Sequence, residues 1–185
     1  TSDMRIRNIL NLETCISVVA AFFYSKFVTS IENEKETDKK VDYAAINKTR
    51  YTDWAITTPI MLLVLVLALL YNVKGGPVSF SSYLKIIVMN YGMLGFGYLG
   101  EIGIMSRLSA DIVGFGFFAA LYGYIYKTYV AKTYNFDNIM LYMAFLILWT
   151  LYGVFYFMNE VTKNVAFNIL DLFSKCFVGI FFWAY

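Results

Sequence analysis

Two charged residues stand in an otherwise apolar segment near the end of the chain, LDLFSKCFVGIFFWAY. Asp171 and Lys175 are four positions apart, so on a helix their side chains share one face, about 6 Å apart along the axis. A charge at the centre of a bilayer costs at least about 2.5–3.5 kcal/mol, and such residues usually mark a functional site. This pair is therefore the first candidate for chemistry.

A second group of polar residues begins the apolar segment RYTDWAITTPIMLLVLVLALL. Arg50 and Asp53 are three positions apart, and Thr57 lies four positions beyond Asp53 on the same helical stripe. Pro59 follows inside the segment, where it must bend the helix and free a backbone carbonyl. We expect this stripe to face the interior of a helical bundle.

The two groups together suggest a specific chemistry. Asp53 and Asp171 can hold a nitrogen cation at Lys175 between them, and Arg50 balances the second negative charge. A buried lysine amine forms Schiff bases with carbonyl compounds. The alternative is a lysine that extends to the membrane surface and merely pairs with Asp171. Ten residues follow Lys175, about 15 Å of helix, which disfavours that alternative.

The composition indicates an integral membrane protein. Of the 185 residues, 59% are hydrophobic and 19% aromatic, and the mean hydropathy is +0.60, whereas a soluble domain is about 45–50% apolar. The net charge of +2 gives no reason to expect a nucleic-acid partner. With no histidine and two cysteines without metal-ligand spacing, we expect no metal site, and we expect Cys15 and Cys176 to be buried thiols.

Six segments approach the roughly 20 apolar residues that a membrane span requires. They cover residues 8–31, 51–73, 82–103, 108–130, 138–159 and 163–185. Short polar connections separate most of them, and the charged stretch 32–50 is predicted to be a long solvent-exposed loop. We expect one transmembrane domain over 1–185. The lysines and arginines divide almost evenly between the two sides, so they do not set the orientation.

Four motifs give this chain its resemblance to a known family. RYTDWAITTP resembles the third helix of microbial rhodopsins and LDLFSK their seventh, LWTLYGVFY resembles the sixth, and NYGMLGFGYLG the fourth. The resemblance implies an all-α, seven-helix membrane bundle of which six helices are visible here. The first segment matches the family's second helix, so we expect the first helix to be missing from this sequence.

The resemblance also assigns roles in the charged site. Lys175 would carry all-trans retinal as a protonated Schiff base. Asp53 would be the primary counter-ion and proton acceptor, hydrogen-bonded by Thr57. Asp171 would be the second counter-ion, and Arg50 would set the charge balance and gate the outward side.

Further residues match the family's retinal pocket and its supports. Tyr24 would hydrogen-bond the second counter-ion. The retinal would be lined by Trp54, Thr58, Met93, Gly97, Gly114, Phe118, Trp149, Tyr152 and Tyr156. Gly153 replaces the proline of the sixth helix, and a glycine permits a kink without forcing one.

The chain departs from the proton pumps of this family at the internal donor. The carboxylate expected eleven residues after the acceptor is replaced by Val64. Glu13 stands eleven residues before Tyr24, about 16 Å along its helix, and is predicted to act as a displaced donor. The alternative is a carboxylate at the membrane interface. A displaced donor and a short chain are similar to viral rhodopsins of large DNA viruses.

The function implied is a light-driven outward proton pump rather than an enzyme. Glu160 is a candidate aid to proton release, with a plain surface carboxylate as the alternative. A light-gated cation channel, with Glu13 at its constriction, and a sensory photoreceptor are the rival functions. The implied partners are retinal, the lipid bilayer, protons or cations, and further copies of the chain in a homo-oligomer.

Overall fold

The computed structural model describes residues 3–37 and 40–184, and within them the structure is helical without strands. The elements are α1 (Met4–Glu36), α2 (Tyr43–Asn72), α3 (Phe80–Glu101), α4 (Arg107–Ile125) with a π-helical end (Tyr126–Val130), α5 (Phe136–Tyr156), α6 (Glu160–Asp171), a π-helical turn (Leu172–Phe177) and α7 (Val178–Ala184). Since α6, the π-turn and α7 follow one another without a break, the described residues form six rods. The predicted all-helical architecture is confirmed.

The helices extend beyond the apolar segments that predicted them. Residues 32–36 and 43–50 are helical, so most of the predicted exposed loop continues α1 or begins α2; Asp38 and Lys39 of that loop lie outside the described residues, as does Tyr185. Glutamate and lysine are good helix formers, and Asp42 caps α2 by accepting a hydrogen bond from the Ala45 amide at 3.0 Å. A charged stretch next to a membrane span was therefore a poor sign of a loop.

Each rod begins at a residue whose side chain can accept a hydrogen bond from an unpaired backbone amide. The six N-caps are Asp3, Asp42, Ser79, Ser106, Asn135 and Asn159. The polar connections between the apolar segments thus set where each helix starts. Five rods are long and apolar enough to cross a membrane among the described residues, and in α3 glycines, tyrosines and Asn90 lower the hydropathy.

The rods alternate in direction and close into a ring. Sequential neighbours pack together from α1 to α4 and from α5 to α6, α4 touches α5, and α1 meets α7. Large apolar side chains such as Val18, Ile112 and Trp183 are exposed on the outside, where a bilayer replaces water. Cys15 and Cys176 are also exposed, so their predicted burial was wrong. The outside of such a bundle is as apolar as its core, and apolar neighbours do not reveal which way a residue points.

Pro59 shapes the central helix, α2, next to the site. A proline cannot donate to the carbonyl four residues earlier, that of Ala55. Tyr91 of α3 donates its hydroxyl to that carbonyl at 2.9 Å, and Tyr83 donates to the carbonyl of Pro59 itself at 2.9 Å. Two tyrosines of α3 therefore satisfy the distorted backbone and hold α3 against α2.

Candidate functional site

The side chains of Lys175, Asp53 and Asp171 meet inside the bundle, as the sequence predicted. Lys175 Nζ donates to Asp53 Oδ2 at 2.5 Å and lies 3.7 Å from Asp171 Oδ2. None of the three is more than 2% exposed. Asp53 comes from α2 and the other two from the α6 rod, so the ion pairs also join these rods.

The two carboxylates differ in how they are held. Asp171 Oδ1 accepts from Tyr152 Oη at 2.6 Å and from Trp54 Nε1 at 3.2 Å. Its Oδ2 accepts from Tyr24 Oη at 2.6 Å and faces Arg50 Nη1 at 3.5 Å. Asp53 Oδ1, by contrast, is buried and makes no hydrogen bond to a described residue. Asp171 is therefore the fixed anion of the site, and Asp53 has an oxygen available for a proton.

Arg50 lies on the side of the two aspartates that faces the start of α2. Its guanidinium donates to Asn168 at 2.7 Å and to Asn164 at 3.1 Å, and it packs 4.9 Å from the ring centroid of Phe27. It is 1% exposed. The two asparagines were not predicted, although both lie one or two turns before Asp171 and so share its helix face.

Two threonines of α2 donate to their own helix rather than to the carboxylates. Thr57 Oγ1 donates to the backbone carbonyl of Asp53 at 2.9 Å, so the implied hydrogen bond to Asp53 reaches its main chain and not its carboxyl group. Thr58 Oγ1 donates to the Trp54 carbonyl and accepts from Asn90 Nδ2 at 2.8 Å. Back-bonding of this kind is common for threonine inside a helix and leaves Asp53 with a single strong partner.

A cavity opens from Lys175 toward α3, α4 and α5. Its wall includes all nine residues that the sequence assigned to a retinal pocket, together with Lys175 and Asp171. With the open space at its mouth included, it encloses about 790 Å³. Wall residues that sequence reasoning missed include Tyr51, Met61, Phe115 and Phe167, and the first two are one turn from predicted residues.

Gly153 has a packing role at this wall. A Cβ built on Gly153 would lie 2.3 Å from the ring of Phe115. Such a contact is impossible without displacing a rigid aromatic side chain. The glycine in place of a proline is therefore explained by the close approach of α4 to α5 rather than by a kink.

Glu13 lies on the other side of Lys175 from Arg50. It is 6% exposed, and its Oε2 makes no hydrogen bond to a described residue. A Cβ on Gly179 would lie 3.0 Å from that oxygen, and Gly179 is four residues beyond Lys175, about 6 Å along the helix. The structure thus places Glu13 of α1 against the helix that carries Lys175, about one turn beyond it, while Val64 is fully buried in the apolar core.

The chain resembles known proteins over its whole length. Residues 1–185 match the family described as Bacteriorhodopsin-like protein. A green-light absorbing proteorhodopsin from Gamma-proteobacterium EBAC31A08 is 30% identical over 161 residues, which cover 72% of this chain and 59% of that protein. The chain therefore spans about three fifths of the length of this relative.

Solved structures share the fold. The crystal structure of viral rhodopsin OLPVRII superposes with a TM-score of 0.90 at 52% identity, covering 100% of this chain and 84% of that one. The crystal structure of blue light-absorbing proteorhodopsin from Med12 superposes with a TM-score of 0.72, covering 98% and 82%. At 19% identity the second likeness concerns the fold alone.

Proposed function

Because this chain belongs to the bacteriorhodopsin-like family, whose rhodopsins carry retinal as a Schiff base on a lysine, we propose that it moves protons outward across the membrane in light. Membership confirms the predicted rhodopsin resemblance, the retinal cofactor and the multi-pass membrane localisation. The 52% identity to a viral rhodopsin supports the viral sub-family. The two proteorhodopsins are named as light-absorbing proteins.

The residues that line the cavity fit retinal in their chemistry. Lys175 is the residue that would hold it, because its Nζ is buried at one end of an aromatic cavity with two carboxylates beside it. Trp54, Trp149 and Tyr152 supply apolar walls. Retinal bound there supplies a light-driven isomerisation that changes the direction and acidity of the proton on the lysine nitrogen.

The direct hydrogen bond from Lys175 Nζ to Asp53 Oδ2, at 2.5 Å, is the observation that carries the proposal. A proton leaving Nζ needs to cross only this bond to reach a carboxylate. Asp171 is a poorer acceptor because four donors already occupy its oxygens. Asp53 is therefore the acceptor, and Asp171 stays as the anion that keeps the site balanced.

The direction of proton transport follows from the groups that lie on each side of Lys175 Nζ. Arg50 and its asparagine partners lie toward the ends of the rods where α2 and α6 begin. Glu13 lies toward the opposite ends, beside Gly179. A proton that leaves through Asp53 toward Arg50, and is replaced from Glu13, moves one way across the membrane. Likeness to the family makes the Arg50 side the outward one.

The test is the light-induced pH change of cells that express the protein with added retinal, with and without a protonophore. We expect acidification of the medium that the protonophore abolishes. Asp53→Asn should abolish it while retinal still binds, and Asp137→Asn, at an exposed acid of α5, should leave it unchanged. A coloured protein that gives no acidification would contradict the pump. Passive photocurrent would then indicate the channel, and its absence the sensor.

A further inference from the structure

A second cluster of charged side chains lies where α3 ends and α4 and α6 begin. Lys163 Nζ donates to the two oxygens of Glu101 at 2.7 and 2.9 Å and to Glu160 at 3.0 Å. Arg107 pairs with Glu160 and lies 3.6 Å from Glu101. We call these four residues the outer cluster. Its two acids and two bases sum to zero charge.

Two members of the outer cluster are buried although they lie near helix ends. Lys163 is 0% exposed and Glu101 is 2% exposed at the side chain, although a lysine at such a place can normally extend into water. Burying two opposite charges costs about as much as their attraction returns, so a buried ion pair is weak evidence for stability.

Hydrogen bonds connect the outer cluster to the retinal site. Asn47 Nδ2 donates to Glu101 at 3.2 Å and to Glu160 at 3.1 Å. Asn164 Nδ2 donates to Asn47 Oδ1 at 3.3 Å, and Arg50 donates to Asn164 Oδ1 at 3.1 Å. Two uncharged amides therefore join Arg50 to the carboxylates of the outer cluster. A path that leaves the site past Arg50 meets these carboxylates next.

We propose that the outer cluster is a lock that closes the outward path to passive cations, and that Lys163 is the positioning residue that keeps it closed. The proposal rests on the outward pump proposed above. Buried acids without a compensating base attract cations and water, as acid rings do in cation pores. Lys163 neutralises Glu101 and Glu160 and draws them together. The carboxylates of Glu101 and Glu160 can still take up and release a proton, whereas the neutral cluster does not attract a cation.

The test is patch-clamp recording of the retinal-loaded protein in light, with the sodium or potassium gradient reversed between recordings. The unaltered protein should give outward current at every gradient. Lys163→Met leaves the cluster with one net negative charge and should add a passive current whose reversal potential moves with the cation gradient. Lys163→Arg keeps the positive charge and should show no such shift. If the leak came from altered packing rather than from the lost charge, Lys163→Arg would leak as well.

The outcomes separate the lock from the pump. If Lys163→Met gives only outward current at all gradients, the lock is wrong and the pump stands. If the unaltered protein already reverses with the gradient, the pump and the lock are both wrong, since the path is open with Lys163 in place. Should Lys163→Met fail to form coloured protein, Arg107→Gln removes the other base at a side chain that is 37% exposed. It should add a passive current that the unaltered protein lacks, and the absence of any such current would overturn the lock.

Discussion

Replacing Glu13 by glutamine should change how the return of the proton to Lys175 depends on pH. The substitution keeps the size of the side chain, so the packing against Gly179 is preserved. It removes a buried carboxyl group that lies beside Gly179, whose backbone is about one helical turn beyond that of Lys175. The side chain is buried and its Oε2 has no partner among the described residues, so no ion pair or hydrogen bond at that oxygen is broken.

The size of the effect follows from the loss of a fixed donor. While Glu13 holds its proton, the transfer occurs within one molecule, and bulk pH affects it weakly. Without the donor, the nitrogen takes its proton from water, and the rate becomes proportional to the proton concentration. It should then fall about tenfold for each pH unit, or on the order of a thousandfold between pH 6 and pH 9.

The assay is flash photolysis of the purified protein, in which the decay of the deprotonated state is followed by its absorbance across this pH range. Glu32→Gln is the matched control, since it removes an exposed carboxylate from the same helix and should leave the decay unchanged. Adding azide, a small diffusible acid, should restore fast decay to Glu13→Gln. A decay in Glu13→Gln that is as fast and as insensitive to pH as in the unaltered protein would refute the donor role.

Three further substitutions test the site and its supports. Lys175→Ala should remove the visible absorption band of the retinal-loaded protein; a coloured variant would contradict the attachment site. Gly179→Ala places a Cβ 3.0 Å from Glu13 Oε2 and should slow the proton return in flash photolysis without removing colour; an unchanged decay would separate Glu13 from this step. Gly153→Ala forces a Cβ against Phe115 and should destabilise the protein by about 1–3 kcal/mol. The retinal-loaded variant should then lose its colour at a lower temperature. An unchanged melting temperature would show that Phe115 moves aside without cost.

The retinal site, formed by Lys175, Asp53, Asp171 and Arg50, was predictable because its residues form pairs close in sequence and are rare in their surroundings. Asp171 and Lys175, like Arg50 and Asp53, stand one turn apart in segments where any charge is costly. The sequence alone identified these two pairs, and the need of a buried lysine cation for nearby carboxylates predicted that they meet. The sequence did not show how unequally the carboxylates are held, because the donors to Asp171 come from α1, α2 and α5.

The outer cluster, apart from Glu160, was missed for the opposite reason. Glu101 and Lys163 are separated by 62 positions, and each stands at the end of an apolar segment. Charges at such ends are usually solvated, so their types and spacing carried no signal. Glu101 and Lys163 are buried only because the ends of α3, α4 and α6 pack together. Asn47, which also contacts Glu101, stood in the sequence as part of a charged loop.

The net charge of the retinal site determines the order of the transport steps. Lys175 and Arg50 balance Asp53 and Asp171, so moving a proton from Nζ to Asp53 leaves the net charge of the site at zero. In a medium of low dielectric constant this internal step avoids the cost of an unpaired buried charge. Sending the proton outward past Arg50 does create that charge, since the site is then left with one excess negative charge. The resulting field favours the return of a proton from Glu13, the nearest buried carboxyl on the opposite side, so export and reloading are coupled by the same imbalance.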